Sequence, residues 1–547
     1  MARNASEIRG GFGVQGVVAG VRRAWGESPL YQAQLKGPAP DRVLFQPQDP
    51  RPADKEIAQS LARGRLAIGS SAVDCEGDLD RIWDLSENNS AMSTYLQEFS
   101  WLRHLNGLGK QGTPIARKLT SAWLNRYEKW SADEWRPYFV SERLVQICAH
   151  HPLIMSGGDA LWRSRVLNSM ARQTRHLARS AHRSASGFDR LMTSLGLAIA
   201  GHCLPGCESA AERGIEMTRR ELRLQLRPDG SHLSRNPSRQ LKLALRMQML
   251  VNAIEGRGLQ PPPYLRHMLI RVSAMAMFFR CGDGHLAVFN GGYEDCARTI
   301  VQVQKSVDPE VSSTDFARHS GFQKLIAARS VLIVDGGDDN ASKTSFRGTG
   351  SFHFSSGRSR IVTNCGNGAH RSDEWRSAMH KREAHSAISC REASSIEFGQ
   401  ITKSRAENTS GHLFEIEREI FTARTDNAKY TRRFFLNSNG SELLGEEILE
   451  ECPSELVEEI CWRFHLHPGV RASVARDQKS AILLLPNKEG WRFKSSCTSI
   501  HLEKTAYCGD GAAPVSSEQL VLRAKLVAKP MISKISVKWG FRRADSI

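Results

Sequence analysis

The feature that most constrains the fold of this chain is a change in hydrophobic periodicity. From residue 54 to about residue 280, apolar residues recur at spacings of three and four, which is the period of an amphipathic helix. From about residue 330 they alternate or form short runs rich in Val, Ile and Phe, such as SVLIVDGG and FHFSSG, which are typical of strands. The chain therefore has a helical part and a strand part, each long enough to bury its own core.

Turns rich in Gly, Pro, Ser and Asp divide the helical part into segments. Helices are predicted over residues 100–108, 113–132, 141–151, 161–182, 188–204, 208–227, 240–255 and 263–280. Because the connections are short, neighbouring helices are expected to run antiparallel in a bundle, a solenoid or a closed toroid. Residues 1–50, which end in a proline-rich stretch, are predicted to form a loosely ordered lead-in.

Turns rich in Gly, Asn and Ser separate the strand-like runs at intervals of about eight to twelve residues, which favours an antiparallel sandwich. We therefore predict an α+β multidomain protein. It has a lead-in over residues 1–50, a helical domain over 51–310 and an antiparallel β-sandwich over 320–547.

The charge of the chain predicts a polyanionic partner. There are 75 basic and 58 acidic residues, a formal net charge of +17, and the pI is about 9.5. RNA-recognition, zinc-finger and helix-turn-helix motifs are missing from the sequence, so an acidic polysaccharide is favoured over nucleic acid. The twelve cysteines include no CxxC pair, and the GFGVQG segment at 11–16 follows no strand-like run. No metal and no nucleotide or other cofactor is therefore predicted.

The N-terminal sequence lacks the pattern of an export signal. Its apolar run at residues 14–21 is short and diluted by glycine, and the sequence contains no stretch of about 18 apolar residues. We therefore predict a cytoplasmic location and no integral membrane association.

The loop PDGSHLSRNPSR, at residues 228–239, is the strongest candidate for a functional site. It lies between two predicted helices and brings His232, Arg235 and Asn236 within five residues of one another. Imidazole exchanges a proton near neutral pH, and guanidinium binds a carboxylate through two parallel hydrogen bonds. The alternative is that the loop is a turn between helices, whose polar side chains only cap them.

Two groups of residues on predicted helices are further candidates. In SWLRHL, Arg103 and His104 could contact an anionic substrate, although packing explains the neighbouring Trp101 equally well. Four arginines also fall on one helix face, either as a solvated surface or facing an anion: Arg172, Arg175, Arg179 and Arg183.

Six segments in a fixed order resemble the heparinase II/III-like proteins. They are PDGSHLSRNP, FFRCGDGHLAVFNGG, SGFQKL, RGTGSFHFSSGRSRIVTNCG, EWRSAMHKREAHSAI and FHLHPGV, and the resemblance runs from about residue 45 to the C-terminus. It implies an N-terminal incomplete (α/α) toroid followed by a C-terminal antiparallel β-sandwich. It also implies a lyase that cleaves a uronate-containing polysaccharide, such as a glycosaminoglycan or alginate, by β-elimination. The cell envelope or periplasm becomes an alternative location.

β-Elimination needs three chemical groups. One neutralises the uronate carboxylate, a base removes the neighbouring proton, and an acid protonates the leaving oxygen. The family places a His or Asn of this set in a loop between toroid helices, and His232 is the matching position here. By resemblance, the catalytic residues are His232, Arg235, Asn236 and His385, and the substrate-binding residues are Arg103, His104 and His465.

The sequence departs from the lyase pattern at the metal position and at the catalytic tyrosine. Two histidines of the pattern fall on Thr344 and Phe346, an aspartate falls on Asn364, and only the third ligand, His385, is kept. Zinc typically needs three or four N, S or O⁻ ligands, so no metal is predicted. The tyrosine falls near residues 278–279, which are both Phe. A catalytically impaired protein that binds acidic polysaccharide or acts at the envelope is therefore the alternative function.

His465 and His467 alternate along a predicted strand and therefore share one face. They could contact substrate, although two buried, hydrogen-bonded histidines of a sandwich explain the pattern as well.

Overall fold

The computed structural model describes residues 14–68, 71–86, 90–305, 317–337, 346–368, 372–391, 397–422, 425–452, 459–511, 513–525 and 532–544. The chain divides into two compact units. The helical unit comprises Met1–Gln225 and Leu245–Arg266, and the strand-rich unit comprises Leu226–Ala244 and His267–Ile547. The candidate loop at 228–239 thus belongs to the strand-rich unit, although it is flanked by helices.

Most helices of the described residues precede the strands. They are α1 (Val14–Glu27), α2 (Pro29–Gln34), α3 (Lys55–Ala62), α4 (Ile82–Ser86), α5 (Ser90–Gln97), α6 (Trp101–Asn106), α7 (Gly112–Tyr127), α8 (Pro137–Met155), α9 (Ala160–Ser180), α10 (Phe188–Cys203), α11 (Glu208–Gln225), α12 (Pro237–Glu255), α13 (Pro263–Phe278), α14 (Ala297–Gln304) and α15 (Asp373–His380). None of the helices in the described part of the chain is both long and apolar enough to cross a membrane.

Consecutive helices from α7 to α11 pack against one another in the helical unit. The contact between α10 and α11 is close because glycines face alanines across it. A Cβ at Gly201 would lie 2.3 Å from the backbone nitrogen of Ala211, and one at Gly214 would lie 2.4 Å from that of Ala198. Any larger side chain at either glycine would separate these two helices.

The lead-in, predicted to be loosely ordered, contains helices instead. Residues 14–16 begin α1, and Ser28 caps α2 by accepting the Tyr31 N–H at 3.2 Å. The Tyr31 hydroxyl lies 2.6 Å from Nδ1 of His176 in α9. The sequence pattern missed these helices because α2 has only six residues and α1 is diluted by glycine.

Strands form a small hairpin in the helical unit and two sheets in the strand-rich unit. They are β1 (Arg65–Ile68), β2 (Ser71–Asp74), β3 (Phe322–Ala327), β4 (Ser330–Asp335), β5 (Phe352–Ser356), β6 (Ser359–Thr363), β7 (Ile388–Arg391), β8 (Glu397–Asn408), β9 (Gly411–Thr422), β10 (Thr425–Asn437), β11 (Glu442–Cys452), β12 (Glu459–Leu466), β13 (Arg471–Val474), β14 (Ser480–Leu484), β15 (Gly490–Ser495), β16 (Ile500–Tyr507), β17 (Val515–Lys525) and β18 (Ile532–Arg543).

Within the described ranges, the two large sheets have eight strands each. One has the order β13-β14-β15-β18-β11-β10-β9-β8, and the other has the order β16-β17-β12-β6-β5-β4-β3, with β7 paired to β12. Alternation along each strand sends one set of side chains inward: in β15, Trp491 and Phe493 are buried whereas Arg492 and Lys494 are exposed. The shared core is rich in aromatic side chains, among them Phe352, Phe354, Phe434, Phe464, Trp491, Trp539 and Phe541.

The described chain is therefore helical first and antiparallel β second, as the periodicity predicts. The strand-rich unit also contains the loop at 228–239, the first part of α12, most of α13, and the short helices α14 and α15. These elements place the candidate site residues beside β3 and β4.

Candidate functional site

The 228–239 loop is attached to the β3 side of the strand-rich unit by Asp229. Its carboxylate accepts the Ser231 N–H and O–H through one oxygen, and the N–H groups of His319 and Ser320, at 3.0 and 2.8 Å, through the other. Gly230 has φ +82°, and a Cβ there would lie 2.6 Å from the Arg271 carbonyl oxygen, so only glycine fits. Asp229 and Gly230 thus hold the loop in its conformation without any contribution from His232, Arg235 or Asn236.

His232 is buried and uncharged at neutral pH. Burial, together with the charges of Arg239 and Arg227, lowers the pKa of His232 to about 3. Its Nδ1 accepts the Ser234 N–H at 3.0 Å, so the ring proton lies on Nε2. The backbone N–H of His232 donates to the Gln240 Oε1 at 2.9 Å. In this tautomer the imidazole can donate a hydrogen bond through Nε2 but cannot accept a proton there.

Arg235 connects the loop to β4. Its φ of +52° is unusual for a side chain of this size. The guanidinium forms a buried ion pair with Asp335, and its Nε donates to the Ser320 carbonyl oxygen at 3.1 Å. The same group lies 4.9 Å above the ring of Phe322. Asp335 therefore occupies the position in which a substrate carboxylate would bind to Arg235.

Asn236 caps α12. Its Oδ1 accepts the Arg239 N–H at 2.9 Å, and its Nδ2 donates to the Asn290 carbonyl oxygen at 2.9 Å. Asn290 in turn donates through Nδ2 to the Arg235 carbonyl oxygen at 3.0 Å and to Asp335 at 3.3 Å. Sequence reasoning missed Asn290 and Asp335, although Asn290 lies in FFRCGDGHLAVFNGG, one of the six segments that carry the family resemblance.

The metal position of the lyase pattern is filled by an aromatic ring. The Phe346 ring stacks on His380 with centroids 4.0 Å apart, and meets His385 edge-on at 6.2 Å. A Cβ on Gly291 would lie 2.3 Å from the Phe346 ring, which shows how closely the loop after Asn290 covers it. Thr344 lies outside the described residues.

The residues present do not fit a metal ion. Asn364 donates through Nδ2 to the Val288 carbonyl oxygen and accepts the Ser386 N–H through Oδ1, both at 2.9 Å. Both ends of this amide are thus used, and Phe346 offers no ligand atom. Nowhere among the described residues do three His, Cys, Asp or Glu side chains come together as a metal site.

His385 and His465 are both buried in the strand-rich unit. His385 lies against Gly348, where a Cβ would come within 2.9 Å of its Nδ1. His465 lies 2.9 Å from the Glu383 carbonyl oxygen through Nε2 and 3.4 Å from the Cys365 sulfur through Nδ1. Burial and the charge of Arg463 lower the pKa of His465 to about 3. The burial and contacts of His465 fit the alternative of a structural histidine in the sandwich.

The tyrosine position of the lyase pattern is apolar. Phe278 and Phe279 are buried and pack against Phe322 of β3. Tyr264 belongs to the helical unit, where its hydroxyl donates to the Ile215 carbonyl oxygen at 3.2 Å. Tyr293 belongs to the strand-rich unit, and its backbone N–H donates to the Ser238 Oγ at 2.7 Å. Tyr293 is therefore the tyrosine whose backbone is attached to the first turn of α12, next to the candidate loop.

The predicted site residues fall into two groups. His232, Arg235 and Asn236 share one loop, and Asn290 and Gly291 connect this loop to Phe346 and His385. Arg103 and His104 belong to the helical unit.

Three of the four arginines lie on α9 and Arg183 lies just after it, and two of those on α9 hold the N-terminal segment in place. Arg172 donates to the Gln32 Oε1 at 2.9 Å, and Arg175 donates to the Leu35 carbonyl oxygen at 3.1 Å. The sequence left a solvated face or an anion site open for this stripe, and docking of α2 is a third explanation.

Comparison with known proteins identifies the relatives of this chain. Residues 310–539 match the family model "Heparinase II/III-like, C-terminal". Over 99% of this chain and 98% of the relative, the sequence is 26% identical to "FtsZ-localized protein C" of Caulobacter vibrioides (strain NA1000 / CB15N).

Solved lyase structures share the fold. Heparinase III has a TM-score of 0.68 at 12% identity, with 97% of this chain and 91% of that chain covered. A mutant of heparan sulfate lyase HepC from Pedobacter heparinus has a TM-score of 0.61 at 12% identity, with 97% and 89% covered. Residues 310–539 thus match the heparinase II/III-like C-terminal family model, and the chain shares the fold of these solved lyases, helices followed by antiparallel β-sheets.

Proposed function

We propose that this chain is a non-cleaving protein of the lyase fold, which acts by binding at the place where FtsZ assembles. The observation that carries the proposal is the position of Phe346. Its ring stacks on His380 and meets His385 edge-on, at the position where the lyase pattern has a metal-ligand histidine. A phenyl ring packed in this way supports structure and offers nothing to a reacting sugar.

The candidate loop supports the same proposal. β-Elimination requires a group that neutralises the charge of the uronate carboxylate. The Arg235 guanidinium is neutralised by Asp335, and the Asn236 amide is used by Arg239 and Asn290. Re-using either group for substrate would break a buried interaction, which costs about 1–3 kcal/mol for an unsatisfied polar group and more for a charge.

The full-length similarity supports the FtsZ part of the proposal. The relative named for its localisation with FtsZ aligns over 99% of this chain, which includes both units. An acidic polysaccharide remains the proposed ligand, because the chain carries a formal net charge of +17. We propose the cytoplasm as the location, with the cell envelope as the alternative.

Co-sedimentation with FtsZ tests this proposal. The full chain is mixed with FtsZ from the same organism and centrifuged with GTP, which allows filaments, or with GDP. Heparinase III serves as a control protein of the same fold. We expect this chain in the pellet with GTP only, and heparinase III in the supernatant in both cases. A chain that stays in the supernatant with GTP would contradict the proposal.

The second candidate function is cleavage of a uronate-containing polysaccharide by β-elimination. The observation that favours it is the tautomer of His232, whose Nδ1 accepts the Ser234 N–H. The Nε2–H group could donate a hydrogen bond to the uronate carboxylate and so stabilise its charge. Formation of unsaturated uronate by the purified chain would support this candidate over the first.

A further inference from the structure

We propose that the helical unit contains an oxyanion-binding site formed by Tyr95, Arg103 and His104, which takes a carboxylate or sulfate group of a ligand. The three side chains come from α5 and α6, and lie beside the segment that carries Arg51. This site does not depend on whether the chain cleaves polysaccharide or binds FtsZ filaments.

The neighbouring Arg51 shows what Arg103 lacks. Arg51 donates from Nε and Nη2 to the two oxygens of Asp49, at 2.9 and 2.6 Å, which is a bidentate carboxylate contact. Among the residues that the structure describes, the same edge of Arg103 has no acceptor of this kind. Its Nη2 lies 3.1 Å from the His104 Nε2, and its Nε is hidden from solvent with no hydrogen-bond partner among the described residues.

The proton on His104 makes the contact with Arg103 unfavourable. Nδ1 of His104 accepts the Asp54 N–H at 2.9 Å, so the single proton of the neutral ring lies on Nε2. Burial and the charge of Arg103 lower the pKa of His104 to about 3, so the ring is neutral at physiological pH. Two donors, Nε2–H and Nη2–H, therefore face each other. One oxygen between them would accept from both.

Tyr95 supplies a third donor. Its ring stacks on that of His104 with centroids 6.4 Å apart. Its hydroxyl is hidden from solvent and has no hydrogen-bond partner in the described part of the chain. Burial also raises the pKa of Tyr95, so this hydroxyl keeps its proton. Other atoms of Tyr95 and Arg103 reach solvent, so the site lies near the surface of the helical unit.

The nearby acids are engaged elsewhere. The Asp49 carboxylate binds Arg51 and lies 3.8 Å from the His150 Nε2, and Asp54 caps α3 by accepting the N–H groups of Glu56 and Ile57. Burial and the charge of Arg51 lower the pKa of Arg103 to about 10, which leaves it charged at neutral pH. A buried guanidinium next to two neutral donors favours an oxyanion over a neutral sugar hydroxyl.

Calorimetric titration of the full chain tests this site. The probes are sodium glucuronate, inorganic sulfate and glucose, at constant ionic strength. We expect saturable binding of glucuronate or sulfate and none of glucose. The anion that binds more tightly identifies the source of the oxyanion, carboxylate or sulfate.

Three variants separate this site from general charge attraction. Arg103→Met removes the guanidinium and is expected to weaken the anion at least about tenfold. Tyr95→Phe removes one hydroxyl and should weaken it about threefold to tenfold. Arg163→Met removes the same charge from an exposed position of α9 and should leave the affinity unchanged.

The melting temperature without ligand gives a second readout. If Arg103 is a ligand-binding residue, Arg103→Met should leave the melting temperature unchanged or raise it, because an uncompensated buried charge has been removed. Absence of saturable binding by both anions would overturn the proposal. Equal weakening in Arg103→Met and Arg163→Met would overturn it as well.

Discussion

Arg235 and Asp335 form an ion pair in which both side chains are almost completely hidden from solvent, at 6% and 1% exposure. They are 100 residues apart in the sequence, and their contact joins the candidate loop to the end of β4. This pair bears directly on substrate binding. Because one edge of the Arg235 guanidinium binds the Asp335 carboxylate, that edge cannot also bind a substrate carboxylate. The pair gives Arg235 a structural role that the sequence alone did not reveal.

Removing Arg235 should therefore reduce stability. Arg235→Met leaves the Asp335 carboxylate buried without its cation, and we expect the free energy of unfolding to fall by about 3–5 kcal/mol. Denaturant unfolding followed by tryptophan fluorescence measures the change. Arg329→Met, which removes the exposed partner of Glu489 from the turn between β3 and β4, should cost no more than about 1 kcal/mol.

A double-mutant cycle separates the pair from its surroundings. Adding Asp335→Asn to Arg235→Met should recover part of the loss, with a coupling energy of about 1 kcal/mol or more. Additive losses in the double variant would show that the two side chains are not energetically coupled.

The second prediction concerns metal. Phe346 offers no ligand atom and both ends of the Asn364 amide are hydrogen-bonded, so elemental analysis of the purified chain should find no stoichiometric zinc. The double variant Phe346→His with Asn364→Asp restores two ligands beside His385 and should bind zinc. Phe346→Leu with Asn364→Asp is the matched control and should bind none. Stoichiometric zinc in the unaltered chain would contradict the assignment.

The third prediction concerns the pH dependence of stability. His104, His232 and His465 have pKa values lowered to about 3 by burial, whereas an unfolded histidine titrates near 6.5. Below pH 6.5 the unfolded chain therefore binds protons that the folded chain does not, so the free energy of unfolding falls as pH falls. Asp295, whose pKa is raised to about 6 by burial, and Glu447, whose pKa burial also raises, act in the opposite direction but are fewer than the three histidines.

Melting temperatures between pH 7 and pH 4.5 check this sign. Replacement of one of the three histidines, His465→Gln, should reduce the loss of unfolding free energy by about 1.4 kcal/mol per pH unit below pH 6.5. A melting temperature that stays constant or rises over this range would mean that these histidines are not buried in their neutral form.

The sequence predicts those features of this chain that depend on local patterns. The 3.6-residue period places α9 to α13 within a few residues, and the change to alternation places the sheets. The turn chemistry of Asp229 and Gly230 predicts a rigid loop with His232 on it. These features are encoded by neighbours in the chain, and a single sequence is sufficient to detect them.

Contacts between distant residues could not be predicted in this way. Nothing near Arg235 in the sequence indicates that Asp335 neutralises it, or that the donors of Arg103 and His104 face each other. The helices of the lead-in were missed because their stability depends on docking, such as that of Tyr31 on His176, and not on their own length. The candidate site therefore required tertiary structure, whereas its location in the chain did not.

The central claim, that this fold binds without cleaving, is tested most directly by a lyase assay. The ultraviolet absorbance of unsaturated uronate is followed while the purified chain is incubated with heparan sulfate, heparin, chondroitin, hyaluronan and alginate, with heparinase III on heparan sulfate as the positive control. We predict no absorbance increase with this chain on any of the polymers. An increase that His232→Ala abolishes without lowering the melting temperature would contradict the account and identify the chain as a working lyase.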